Sequence, residues 1–242
     1  TGTLTQNEMT AVRAWADGQF IEITGSGYSP MGDCQVAGQT INLSDYQAAL
    51  TTLWVAALNN DASLEQSGTS DGSPTYRMVG DPTEGAMVVA AAKVGASSDE
   101  LSAAYPRVQE IPFDSERKRM VTIHALRNPQ PEDISPFDNH RLPQGYVVTV
   151  KGAPDIVLDL CSHYQRMDDQ PVALDETHRQ RILVANDLMT QDALRVLGMA
   201  YRVLPELPDE IRAEDLEKDL VFAGLVGMID PPRPEVKQAL QK

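Results

Sequence analysis

Apolar and polar positions alternate in two short runs between Ala11 and Thr24, and the runs meet at Asp17-Gly18. That turn pair tolerates positive φ, so the segment predicts a β-hairpin. A Gly-, Ser- and Pro-rich loop is expected from Gly25 to Gly38. Ser44 is then positioned to cap a helix running to about Asn59, with Tyr46, Leu50, Leu53, Trp54, Ala57 and Leu58 on one face. Residues 60–80 are polar and turn-rich. A second helix opens at Asp81-Pro82-Thr83-Glu84, where Pro82 suits the first helical position, and continues to about Val94. Strand-like runs follow at Val108–Phe113, Arg119–Ala125 and Gly145–Lys151. A Pro-rich surface connection, Asn128–Pro143, separates the last two. Pro154 starts a short helix, and a longer one spans Glu176 to about Ala193. Strands Arg195–Leu204 and Val221–Ile229 end the pattern. Consecutive strands with clustered helices define an α+β chain: an antiparallel β-sheet flanked by helices.

Composition narrows the functional classes. The 242 residues are 42% hydrophobic but only 5% aromatic, so aliphatic side chains must build the core. A formal charge of −15 argues against nucleic acid as a partner, because that binding depends on Lys and Arg neutralising phosphates. A small polyanion then requires a local gathering of basic groups. Cys34 and Cys161 have no metal-ligand spacing; one disulfide or two thiols in a reducing cytosol both remain open. No apolar run approaches the ~18–20 residues that span a bilayer. The opening Thr1-Gly2-Thr3-Leu4-Thr5 has neither an initiator Met nor a basic leader, and reads as the start of a fragment.

Several positions have the chemistry of a binding site. Arg117, Lys118 and Arg119 are the densest basic cluster, either a solvated turn or an anion contact. Strand alternation places Lys118 and Met120 on one face and Arg119 on the other. Lys151 ends an apolar strand, with Gly152 allowing close backbone approach and a helix N-terminus following; the alternative is a lysine snorkelling at a sheet edge. Glu84 stands three residues after Asp81, the spacing of an acidic capping box. Arg195 opens a strand beside many carboxylates, and suits either paired bonds to phosphate or a surface ion pair. Phe113, one of four phenylalanines, either packs in the core or sits at the sheet rim. His124, His140, His163 and His178 show no ligand pairing.

Five segments in order give the chain a family resemblance. Thr1-Gly2-Thr3-Leu4-Thr5 resembles the tail of the P-type ATPase phosphorylation motif, and Asp230-Pro231-Pro232-Arg233 resembles the hinge returning to the phosphorylation domain. Lys151-Gly152-Ala153-Pro154 matches the nucleotide-binding signature of that family. Asp81–Ala86 and Pro112–Met120 look like two further family segments.

The resemblance implies an ATP-binding domain of a cation pump, most like the calcium and sodium/potassium branch; the His-Pro pair of the heavy-metal branch is absent. It implies that Phe113 stacks on adenine, an interaction worth roughly 1–3 kcal/mol. It further implies that Glu84 reaches the adenine amino group, that Lys118, Met120, Lys151 and Gly152 line the pocket, and that Arg195 reaches the phosphates. The phosphorylated aspartate would precede Thr1, so no catalytic residue is expected within the chain, and an isolated fragment is expected to bind ATP without turnover. Mg²⁺ would accompany ATP. Expected partners are the phosphorylation, actuator and transmembrane domains of a membrane pump, with this part cytoplasmic. Residues 1–10 and 226–242 would be remnants of the phosphorylation domain, with 230–242 and the first ten residues irregular, and 11–225 the nucleotide-binding domain. A stand-alone nucleotide-binding regulatory domain and a non-enzymatic interaction domain are the alternatives; a dehalogenase-type hydrolase lacks its nucleophile motif.

Overall fold

The structure, a computed structural model, describes residues 5–70, 73–126 and 145–233. The predicted hairpin is present as β1 (Thr10–Ala16) and β2 (Gln19–Ile23), with Asp17 and Gly18 both at positive φ. The Gly25–Gly38 segment is not all loop: β3 (Cys34–Val36) and β4 (Gln39–Ile41) extend the meander, turning at Ala37-Gly38. Ser44 does not cap the first long helix. It lies in a 3-10 turn, Leu43–Asp45, where Asn42 Oδ1 accepts its N–H at 3.1 Å. Helix α1 (Gln47–Leu58) starts after Tyr46 without a side-chain cap. Its burial runs unbroken from Ala48 to Ala56 rather than along a stripe, because it is covered by the sheet on one side and by a second helix on another.

The polar stretch after α1 forms a separate hairpin, β5 (Ser63–Ser70) and β6 (Ser73–Val79). Helix α2 (Pro82–Lys93) begins where expected, with Asp81 Oδ1 accepting the N–H groups of Thr83 and Glu84 at 2.8 and 3.3 Å. A short α3 (Ser98–Ala104), capped by Ser97, precedes β7 (Arg107–Asp114), β8 (Arg119–Leu126) and β9 (Gly145–Gly152). The Asn128–Pro143 connection lies outside the described residues. Then come α4 (Pro154–Asp159), β10 (Cys161–Gln165), β11 (Pro171–Ala173), α5 (Glu176–Gln191), β12 (Arg195–Leu204), α6 (Ala213–Leu216) and β13 (Leu220–Ile229).

Nine strands hydrogen-bond in the order β4-β3-β2-β1-β13-β12-β9-β8-β7, every pair antiparallel; β10 joins β13 in parallel and carries β11. Period-2 alternation sends side chains to opposite faces, and each face has its own core. One core packs α1 and α2 on Met199, Tyr201, Val226 and Met228; the other packs α4 and α5 on Val121, Val150, Ala200 and Phe222. This is the predicted α+β architecture.

Cys34 belongs to the first core and Cys161 to the second, so the sheet separates two free, buried thiols and the disulfide option closes. Burial pushes the Cys34 thiol up to about 11, and raises that of Cys161 as well.

The two ends meet. Thr5 bridges Pro232, the Gln6 N–H donates to Pro231 O at 3.0 Å, and the Asn7 N–H donates to Asp230 Oδ1 at 2.9 Å. Among the described residues, these contacts join residues 5–7 to 230–232. The boundary expected after residue 225 falls inside β13, whose Met228 is fully buried.

Candidate functional site

The antiparallel order brings four strand ends to one edge of the sheet: the end of β7, the start of β8, the end of β9 and the start of β12. Phe113, Lys118, Lys151-Gly152 and Arg195 therefore arrive together from segments 82 residues apart in sequence. Register sets the faces. Lys151 pairs with Met120 on β8 and Met199 on β12, and Arg195 pairs with Met228. Met199 and Met228 both belong to the α1–α2 core, so Lys151, Met120 and Arg195 share that face.

Lys151 carries its charge inside. Its side chain is 7% exposed, and its Nζ donates to Glu84 Oε1 at 2.8 Å. Desolvation lowers the ammonium pKa, and the Glu84 carboxylate opposes that shift. The snorkelling alternative therefore fails: the head group ends on a carboxylate rather than in water. Glu84 in turn does not close a capping box. Asp81 caps the helix, while Glu84 Oε2 accepts the Asp61 N–H at 3.1 Å and its backbone carbonyl accepts from Asn60 Nδ2 at 2.9 Å. Arg107 secures the same loop by binding Asp61 at 2.6 Å and Glu110 at 2.7 Å.

Phe113 is 63% exposed, which removes the core-packing alternative. Met120 is 2% exposed, beneath the surface at this edge. Lys118 differs from the sequence expectation. It precedes β8 in a turn, with φ of 53°, so strand alternation does not reach it and it does not share the Met120 face by that rule. The basic cluster also divides. Arg117 and Arg119 both bind the carboxylate of Glu217, whose side chain is 3% exposed, while Lys118 stays exposed. Among the described residues no carboxylate lies within ion-pair distance of Lys118 or Arg195. Asp192, one of the carboxylates near Arg195 in sequence, binds Arg13 at 2.5 Å.

Gly152 has a partner within the chain. A Cβ there would lie 2.5 Å from Lys118 O and 2.6 Å from Arg119 Cβ, so the β8–β9 contact itself requires glycine. The following α4 is only six residues long and packs Val157 and Leu158 into the opposite core.

A buried polar chain runs beside the site. Asn59 Nδ2 donates to Thr149 O (2.8 Å) and Met120 O (3.1 Å), Thr149 and Thr122 hydroxyls meet at 2.6 Å, and Thr122 Oγ1 is 2.9 Å from His124 Nε2. The threonines lie two residues along their strands from the Lys151–Met120 pair, on the same face. Sequence reading missed this chain and Glu217. An Asn pair ending an apolar helix was a usable signal for Asn59; Glu217 had none, being one carboxylate in an acidic stretch.

An open groove of about 630 Å³ lies elsewhere, between Trp15 and Phe20 of the first hairpin and Val184 and Leu188 of α5. It includes none of the expected binding residues.

Residues 49–235 match the family model described as P-type ATPase, cytoplasmic domain N, and the chain belongs to that family. It is 35% identical to a calcium-transporting ATPase of Bacillus subtilis over its whole length, and 36% identical, over 99% of its length, to the cation-transporting ATPase pma1 of Synechocystis. A probable cation-transporting ATPase F of Mycobacterium tuberculosis is 34% identical over 99%. The chain spans about a quarter of the length of these relatives: 25%, 24% and 24%. Among the described residues no helix is long and apolar enough to cross a membrane.

Proposed function

We propose that this domain binds ATP for a cation-transporting P-type ATPase and presents the terminal phosphate to an aspartate in a neighbouring domain. The observation that carries the reading is the convergence, in a chain of charge −15, of an exposed aromatic with Lys118 and Arg195, neither of which has a carboxylate partner among the described residues. Two free cations at one edge of an acidic protein make a local anion site, and Phe113 beside them supplies a stacking face.

On this reading Phe113 holds the adenine, Glu84 accepts from its amino group, and Met120 and Gly152 form the pocket floor. Lys118 and Arg195 steer the phosphates, with Lys151 contributing charge once Glu84 turns to the base. ATP supplies the phosphoryl group, which an aspartate outside the described residues accepts as a carboxylate nucleophile. Mg²⁺ would arrive with the phosphates and neutralise their charge. The domain's part in the cycle is positioning. The names of its relatives, calcium- and cation-transporting ATPases, support cation transport by the parent protein. A cytoplasmic position, phosphorylation, actuator and transmembrane domains as partners, and the calcium and sodium/potassium branch belong to the same proposal.

An ATP titration of this chain followed by amide-resolved NMR, with and without Mg²⁺, tests the reading. Binding on the order of 0.1–1 mM, ~4–5.5 kcal/mol, is expected, with shifts at Glu84, Phe113, Lys118, Lys151 and Arg195. Absence of saturable shifts, or shifts confined to the Trp15–Val184 groove, would overturn it in favour of an interaction domain.

A further inference from the structure

The turn carrying Phe113 and Lys118 is held from outside by one buried carboxylate. Glu217 follows α6, about one hundred residues from the turn, and its side chain is 3% exposed. One oxygen binds Arg117; the other binds Arg119 Nη2 at 2.6 Å. These arginines flank Lys118 on both sides. Arg119 Nη1 also donates to Arg117 O at 3.0 Å, tying the two arms together. Within the turn, Asp114 Oδ1 accepts the N–H groups of Glu116 and Arg117 at 2.8 Å each, and Lys118 N–H donates to Asp114 O at 2.6 Å. The Lys118 carbonyl then accepts the Ala153 N–H at 3.1 Å, joining the turn to the Lys151-Gly152 strand end.

We propose that Glu217 is a positioning residue for the nucleotide site: by clamping Arg117 and Arg119 it fixes the turn that presents Phe113 and Lys118, and it withholds both arginines from the ligand. The inference rests on the ATP-binding reading above. Three charges meet in the clamp, two positive and one negative, and the Asp114 carboxylate acts on Arg117 from within the turn. A buried carboxylate with two guanidinium partners is a rigid anchor, because losing the carboxylate leaves both guanidinium groups without their partner. Lys118 between them has a positive φ of 53°.

The test uses this 242-residue chain with Glu217→Gln and, separately, Arg117→Gln. Arg117→Gln leaves the carboxylate paired with Arg119, so it folds even where Glu217→Gln does not. ATP affinity is measured well below each variant's unfolding midpoint, alongside amide spectra. The expected result is at least ten-fold weaker ATP binding in both variants, with shifts in the ligand-free spectra concentrated at residues 113–118 and Ala153. Wild-type affinity in a folded variant overturns the proposal and leaves the clamp as a stabilising ion triad only. Tighter binding also overturns it, since the released arginines would then serve the ligand better than the held turn does. If the unsubstituted chain fails to bind ATP, the nucleotide reading falls first and this inference with it; binding by that chain with unchanged variants sinks the clamp alone.

Discussion

Glu84 and Lys151 meet at 2.8 Å across the junction of α2 and β9, with 18% and 7% of their side chains exposed. The two residues, one expected to reach the adenine amino group and the other to line the pocket, form an ion pair with each other. Removing either charge leaves the other in low dielectric, which typically costs 3–5 kcal/mol. Lys151→Met should fall at about 3 kcal/mol, since Glu84 keeps the Asp61 N–H and some solvent. The double variant Lys151→Met/Glu84→Leu should recover most of that loss. Urea unfolding of the four proteins checks this. A single-variant loss under about 1 kcal/mol, or a double variant worse than both singles, would show the pair to be energetically idle.

Phe113 separates binding from stability. At 63% exposure its truncation to Ala removes little packing, and the unfolding free energy should change by no more than about 0.5 kcal/mol. ATP affinity should fall by roughly 1–3 kcal/mol, the value of a base–aromatic stack. Calorimetric titration beside a urea melt reads both quantities. Equal losses in the two would mean that Phe113 packs in solution and does not serve as a stacking platform.

Gly152→Ala tests whether the glycine serves the fold. Its new Cβ would fall 2.5 Å from a backbone oxygen and 2.6 Å from Arg119 Cβ, neither of which is the far end of a flexible side chain. Forced repacking of this kind costs about 1–3 kcal/mol. An alanine variant as stable as its parent would return Gly152 to the ligand alone.

How much of this could be read from sequence depends on the range of the interaction. The Asp17-Gly18 turn, the Asp81-Pro82 helix start and the strands around Lys151 are local signals, and the structure places them as expected. The β5–β6 hairpin escaped because Leu64, Tyr76 and Met78 are the few apolar residues of one face, too sparse among polar neighbours to set a period. Ser44 misled because Asn42, two residues earlier, takes the cap. Lys118 misled for a related reason: alternation was extended one residue past the strand, into a turn whose geometry Asp114 sets. The pairings Glu84–Lys151 and Glu217–Arg117 span 67 and 100 residues. Nothing local distinguishes Glu217 among 35 acidic side chains, and nothing local pairs Glu84, though it stood out by its spacing from Asp81, with Lys151. Only the strand order brings them to their cations.

His124 supplies the pH dependence. Its ring is 3% exposed, and burial pushes its pKa down to about 4 from an ordinary 6.5. The Tyr105 carbonyl, 2.9 Å from Nδ1, can only accept, so the network assigns the proton to Nδ1 and leaves Nε2 to accept from Thr122. Arg107 is the charged group whose field reaches the ring, and it too disfavours protonation. A histidine with a depressed folded pKa is neutral in the native state, so the unfolded chain binds the extra proton. Its stabilisation is complete above pH 6.5 and is lost as pH falls toward 4. Between pH 7 and 5 this group should cost roughly 2 kcal/mol of stability. Asp114 and Asp175, whose pKa values are lowered by backbone N–H groups, also lose stability in acid, but only below the ordinary carboxylate range. His124→Gln should therefore flatten the unfolding free energy across pH 5–7 while leaving the steeper loss at lower pH. A variant that keeps the parent's slope through that window would assign the dependence to another group, and the neutral His124–Thr122–Thr149 chain would lose its claim to hold this side of the sheet.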